Sequence, residues 1–254
     1  MILRRLTANL RAQNWTAIAI EFLIVVLGVF IGTQVANWNQ ERTARQETHR
    51  MLVQLGPELE SQVDFFRNGR IYYATTRRYA DKALAAWAGD KSISDEQFVI
   101  AAYQASQIYG IGINAENWAL TFGGEQLRNI DDPRLRRNLQ LVLTQDYSPV
   151  ASEAVATPYR EQVRRVIPIG IQDRIRIQCG DRSIRDAAGY SILPPTCSTK
   201  LDPAEARATA AALRARPELA QELSWHLAAV AVYMASAEFL EEPIRELQRD
   251  LAKL

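Results

Sequence analysis

Apolar residues along this chain first run together and then recur at helical spacing. Residues 17–32 read AIAIEFLIVVLGVFIG, and from Phe22 to Gln40 no charge appears, a length sufficient for a helix to cross a bilayer. Trp15 and Trp38 stand about 34 Å apart along such a helix and bracket a hydrocarbon layer about 30 Å thick as interfacial anchors. Past the span, Met51, Leu52, Leu55, Leu59, Val63 and Phe66 keep the spacing of one helical face. This predicts a stalk that continues the membrane helix outward, with a break at Gly56 and Pro57. Further helices are predicted over 70–88, 95–109 and 118–127, and helical period persists over 133–146 and 151–178. Only RRVIPIGIQDRIRIQC, residues 164–179, offers a strand-like alternation. From about Pro217 to the C-terminus, Leu219, Leu223, Leu227, Val230, Met234, Leu240, Ile244, Leu247 and Leu251 repeat at threes and fours, with a kink expected at Pro243.

Helix starts carry chemical cues. Ser94 with Gln97 reads as a capping box, Asp132 precedes Pro133 at a first helical position, and Asp202–Pro203 with Glu205 combines both signals. The fold class expected is all-α. One N-terminal transmembrane helix is followed by a periplasmic antiparallel helical bundle, its first and last helices side by side. The expected division is a cytoplasmic amphipathic segment at 1–14, a transmembrane helix at 15–40, and a periplasmic helical domain at 41–254.

Composition narrows this further. Hydrophobic residues make up 48% of the chain with only 12 Gly and 10 Pro, which argues for a globular domain. A mean hydropathy of −0.19 argues against a multi-span transporter. Arg4, Arg5 and Arg11 are the only basic residues before position 41 and Glu21 the only acidic one, so of 30 basic and 29 acidic residues the remainder keeps 27 and 28. A near-neutral domain lacks the basic surplus of a nucleic-acid binder.

The N-terminus has two readings. Arg4, Arg5 and Arg11 with the apolar run suit a cleaved signal peptide, but GTQVANWN offers no good small-x-small cleavage site, which favours an uncleaved anchor. Leu3, Leu6 and Leu10 share a helical face beside the arginines, as in a helix lying on an anionic leaflet; a frayed terminus is the alternative. Arginines flank the span on both sides, at 42, 45 and 50 as well as 4, 5 and 11. Orientation therefore rests on the long domain behind an N-terminal anchor and on the single cysteine pair within it. Both place residues 41–254 in the periplasm, anchored in a bacterial inner membrane. Cys179 and Cys197 enclose GDRSIRDAAGYSILPPT, a turn-rich loop whose bridging would contribute on the order of 3 kcal/mol. Two free thiols in a cytoplasmic domain are the alternative, and zinc would need further ligands, with His49 and His226 distant in sequence.

Glu21 is the one charge inside the apolar run. Glu21, Val25, Gly28, Gly32 and Ala36 fall on one helical face, and Gly28 with Gly32 forms a small-xxx-small pair that admits a second helix. Three roles fit Glu21 at this depth: a carboxyl reaching water at the headgroups, a bond to a partner helix, or a station for protons.

The stretch RAQNWTAIAIEFLIVVLGVFIGTQVANWN resembles the opening of an uncharacterised family of proteobacterial single-span membrane proteins, a domain of unknown function, through its Trp, its Glu, Gly-Val-x-x-Gly and the closing Asn-Trp. NWALTFGGEQLRNIDDPRLRRNLQLV, residues 117–142, is similar to that family's internal pattern. The resemblance implies topology and helical character, and carries over no functional residues.

Asp131–Asp132 and Glu241–Glu242 are the adjacent carboxylate pairs, but neighbours in a helix do not face one another, so capping or solvated surface is expected of them. The Tyr233, Met234 and Phe239 stripe reads as core. No catalytic, cofactor or metal residues are assigned, and no enzyme is expected. The function expected is a single-span accessory or scaffold subunit of a larger integral membrane complex. Its partners would be other integral membrane subunits, the lipid bilayer and a second copy of the chain. The alternative is a periplasmic ligand-sensing or signalling ectodomain, for which an output segment of about 14 cytoplasmic residues is short.

Overall fold

The computed structural model describes residues 15–110, 118, 121–183 and 191–254, and over these the chain is helical. Helix α1, Trp15–Trp87, runs unbroken for 73 residues, about 110 Å. The break expected at Gly56–Pro57 is absent, and the helix expected at 70–88 is the end of α1. Pro57 removes the bond its N–H would give Val53, but both residues are exposed, so water can reach the freed carbonyl. Leu52, Leu55 and Leu59 on the opposite side are buried and anchor the continuous helix through the site.

Two of the remaining helices pack extensively on the outer half of α1, and the others build on those two. Helix α2, Asp95–Gln104, is apolar all round and buried from Phe98 onward, between α1 and helix α7, Pro203–Arg214. Its start is the capping box Ser94–Gln97, closed in both directions. The short α3, Glu125–Arg128, follows Gly124, whose φ of 38° lies in the left-handed region; with Gly123 it interrupts the longer helix expected at 118–127. Residues 119 and 120 of that expected helix lie outside the described residues. Helix α4, Pro133–Thr144, is capped by Asp132, which accepts from the Arg134 and Leu135 amides. Two 3-10 turns, Ser148–Val150 and Ser152–Val155, lead to α5, Pro158–Val166, and α6, Ile169–Cys179. The strand-like stretch is thus helical. Ile171, Ile175 and Cys179 are buried one turn apart, and Pro168 separates the two helices.

Helix α8, Glu218–Leu251, makes its most extensive contact with α1 and also supports α4 and α5. It continues through Pro243, where the carbonyl left free belongs to exposed Phe239. Its length and apolarity would suit a membrane span, but Leu223, Val230, Tyr233, Ala237, Ile244 and Leu247 are buried in the bundle. Tyr73 and Tyr233 meet edge to face at 4.6 Å, and Arg70 of α1 pairs with Glu241.

Cys179 and Cys197 are disulfide-bonded, with Cα atoms 5.6 Å apart. Between them, β1, Arg182–Ser183, pairs antiparallel with β2, Ser191–Ile192; residues 184–190 of the expected loop lie outside the described residues. Several bonds fasten the excursion to the core, among them Tyr72 OH to Asp181 at 2.9 Å. Gln104 Nε2 donates to the Cys179 carbonyl (2.6 Å), Tyr79 OH to the Pro194 carbonyl (2.7 Å), and the Thr199 amide to Glu96 (2.8 Å).

Candidate functional site: the spanning face of α1

The apolar N-terminal part of α1 buries none of its membrane-length window within its own chain. Val25, Gly28, Gly32 and Ala36 are exposed, and Glu21 is half-buried. A Cβ added at Gly28 or Gly32 would meet nothing within 4 Å, so no contact among the described residues accounts for either glycine. Thr33 Oγ1 donates to the Phe30 carbonyl at 2.8 Å, satisfying its hydroxyl inside the helix. Glu21 differs: its Oε2 is covered and finds no hydrogen-bond partner among the described residues. Trp15 and Trp38 project outward, and the Arg42 guanidinium lies 5.7 Å from the Trp38 ring centroid. The amphipathic segment expected at 1–14 lies outside the described residues.

Because α1 is continuous, the direction of this face can be carried up the helix. Eighteen residues make five turns. Glu21, Val25, Gly28, Gly32 and Ala36 therefore stand in phase with Asn39, Thr43, Gln46, Arg50 and Gln54, all exposed, whereas Thr48, Leu52, Leu55 and Leu59 face the bundle. The small-residue stripe lies on the side of α1 turned away from the bundle.

Two features escape the sequence pattern because distant segments build them. The first is a cavity of about 620 Å³ where α1 enters the bundle, lined by Arg45, His49 and Leu52 of α1, Ile130 and Asp131 before α4, and Leu254. Arg45 there stands 3.8 Å from Asp131, about 10 Å along α1 beyond Trp38. The second is a polar cluster at the inner end of α2. Arg160 donates to the Ser106 carbonyl, Arg164 reaches Gln107 at 3.1 Å and lies 4.8 Å over the Tyr103 ring, and Arg176 bonds Tyr103 OH at 2.9 Å. Burial holds the Arg160 and Arg164 pKa values below the usual range. Carbonyl, amide and hydroxyl oxygens engage these guanidiniums, Arg176 also pairing with Asp173 at 2.7 Å, and together they fasten α5 and α6 to α2. His226 is fully buried beside them, its Nδ1 2.8 Å from Thr157 Oγ1. Burial, reinforced by Arg160, holds its pKa down to about 4, which keeps the ring neutral.

The carboxylate pairs divide by role. Asp132 caps α4 and Asp131 faces Arg45. Glu242 is exposed and bonds Arg249, but Glu241 departs from the expected solvated surface: it is buried between Arg70 and Arg245. Of the expected aromatic stripe, Tyr233 is core and Met234 half-buried, whereas Phe239 projects outward because it lies on the far side of α8. Among the described residues no three His, Cys, Asp or Glu side chains gather as a metal site. The chain matches no protein-family model, no curated protein and no solved structure.

Proposed function

We propose that this protein is a non-enzymatic accessory or scaffold subunit of a larger integral membrane complex, held by its span and covering the periplasmic side with its bundle. The observation that carries this reading is the unpartnered spanning face. Two glycines in a helix interior each cost roughly 0.5–1 kcal/mol relative to alanine. At Gly28 and Gly32 none of the described residues approaches to make use of the missing side chain. A second helix supplied by a partner would, and Glu21 on the same stripe would then bond across the contact. Since that stripe faces away from the bundle, a partner helix can reach it without meeting the domain.

The disulfide supports an oxidising compartment, hence the periplasm with the N-terminus in the cytoplasm. The pairing of Arg70 with Glu241 and Tyr73 with Tyr233, and the shared groove of Leu52 with Leu251, support an antiparallel α1–α8 pair at the heart of the bundle.

Co-purification of a tagged full-length chain from mild detergent tests the reading. Gly28→Leu and Gly32→Leu should insert normally and lose their neighbours, as should Glu21→Leu. Unchanged recovery in all three variants would reduce the span to an anchor.

A further inference from the structure

The bundle carries a second unpartnered helical face, on the outside of α8. Trp225, Ala228, Val232, Ala235 and Phe239 follow one another at three, four, three and four residues, the heptad spacing of a helix–helix seam. All five are exposed, and the three large ones strongly so: Trp225 is 66%, Val232 61% and Phe239 77% accessible. From Trp225 to Ala237 the only titratable side chains are His226 and Tyr233, and both point into the core. The stretch is therefore uncharged along about 18 Å.

Its border is acidic. Glu222 flanks the seam on one side and Glu238 on the other, and Glu218 stands at its beginning; among the described residues none of the three has a basic group within 4 Å. Beyond Phe239 the face continues into Glu242 and Glu246, which lie 2.9 Å from Arg249 and 3.9 Å from Arg134. An apolar seam rimmed by uncompensated glutamates favours an apolar helix rimmed by lysine or arginine. It also disfavours a second copy. An antiparallel pair centred on Val232 sets Glu222 against Glu242 and Glu218 against Glu246, and a parallel pair sets each glutamate beside its own counterpart.

We propose that the outer face of α8 docks an amphipathic helix of another protein, one whose apolar heptad stripe is bordered by basic residues. Trp225 and Phe239 are the anchors, each with roughly 100–170 Å² still to bury. The glutamates set register and reject like-charged helices. This surface is distinct from the spanning face and stands or falls apart from it.

A photo-crosslinking residue in place of Val232 in the full-length chain, activated in living cells, tests the proposal. The expected result is a discrete adduct with a second protein, whose crosslinked peptide maps to a helical segment with lysine or arginine beside an apolar heptad. Trp225→Ala and the charge reversal of Glu222→Lys with Glu238→Lys should each lower its yield at least tenfold. Trp225 and Glu238 are exposed and Glu222 is half-buried, and an unchanged denaturation midpoint verifies the fold. An adduct between two copies, adducts with lipid alone, the absence of any adduct, or a yield indifferent to the charge reversal would each overturn the proposal. Scoring the Gly28→Leu chain by co-purification in parallel keeps a failure here separate from a failure of the spanning face.

Discussion

The two ends of α1 are one helix with opposite relations to the rest of the chain. From Ile18 to Trp38 no side chain is buried, and Gly28 and Gly32 have open space where a Cβ would stand. From Thr48 to Ala86 the helix buries a stripe of leucines, aromatics and alanines; of its two glycines, Gly56 beside Pro57 also has open space, whereas Gly69 has a visible reason. A Cβ there would lie 2.8 Å from Tyr233 OH and 3.1 Å from the Tyr109 ring. Glycine in a helix lowers stability wherever it occurs, so where the chain itself makes use of the missing side chain, as at Gly69, the residue is explained by folding. Where no described residue does so, as at Gly28, Gly32 and Gly56, folding leaves the glycine unexplained, and for the pair at 28 and 32 the proposed explanation is a partner helix on the face that carries Glu21. Substitutions in the two halves should accordingly be read out by different measurements, stability for one and association for the other.

The largest effect on stability is expected where α1 meets α8 through charge. Glu241→Ala leaves Arg70 and Arg245 without their shared carboxylate in a site that is only partly open. Removing one member of a buried ion pair costs about 3 kcal/mol at the lower end of its range, the end that suits two half-exposed arginines. Chemical denaturation of the bundle should register that loss, while span-mediated co-purification at a denaturant-free pH 7 should not change; loss of both together would erase the proposed division of α1.

Acid should sharpen the same contrast, because the bundle half packs against a helix carrying a buried neutral histidine and the spanning half does not. His226 takes its proton near pH 6.5 when unfolded and near pH 4 when folded. Between those values the unfolded chain binds more protons, so stability falls as pH drops through this window. The histidine accounts for roughly 2.5 kcal/mol by pH 4.5, an order-of-magnitude figure. His226→Gln can still bond Thr157 and has no ring to titrate, so its midpoint should fall less steeply with acid than the parent's between pH 7 and 4.5. Parallel curves for the two proteins would show that His226 is not held neutral.

What could be read from sequence followed the range over which each feature is built. Ser94 with Gln97, Asp132 before Pro133 and Asp202 before Pro203 mark helix starts through bonds two or three residues long, and all three close as expected. The stripe of Glu21, Gly28 and Gly32 was legible because it needs only the helical period. Continuity of α1 through Gly56 and Pro57 was not, since it depends on Leu52, Leu55 and Leu59 docking on a helix that begins at residue 218. For the same reason the burial of Glu241 against Arg70, the cavity beside Arg45 and the cluster around Tyr103 had no local signal: these partners come from segments over 50 residues away. The turn to α3 misled in the other direction, where apolar spacing over 118–127 suggested a longer helix that Gly123 and Gly124 interrupt.

The smallest substitution gives the finest test of the comparison. Gly69→Ala places a methyl 2.8 Å from a hydroxyl on a ring packed edge to face with Tyr73, and overpacking of that kind costs 1–3 kcal/mol. Helix propensity returns roughly 0.8–1 kcal/mol, so a net loss of about 1 kcal/mol is expected in the denaturation midpoint. Gly28→Ala adds the same methyl where nothing lies within 4 Å, and the bundle's midpoint should not move. Its effect belongs to association. Alanine keeps the small-xxx-small pattern, so recovery of the partner should fall only slightly, between the parent and Gly28→Leu. A graded loss from glycine to alanine to leucine identifies a face whose closeness of approach matters. Equal recovery across that series would mean that the glycines only lighten a lipid-facing helix, and the two halves of α1 would then differ in solvent alone.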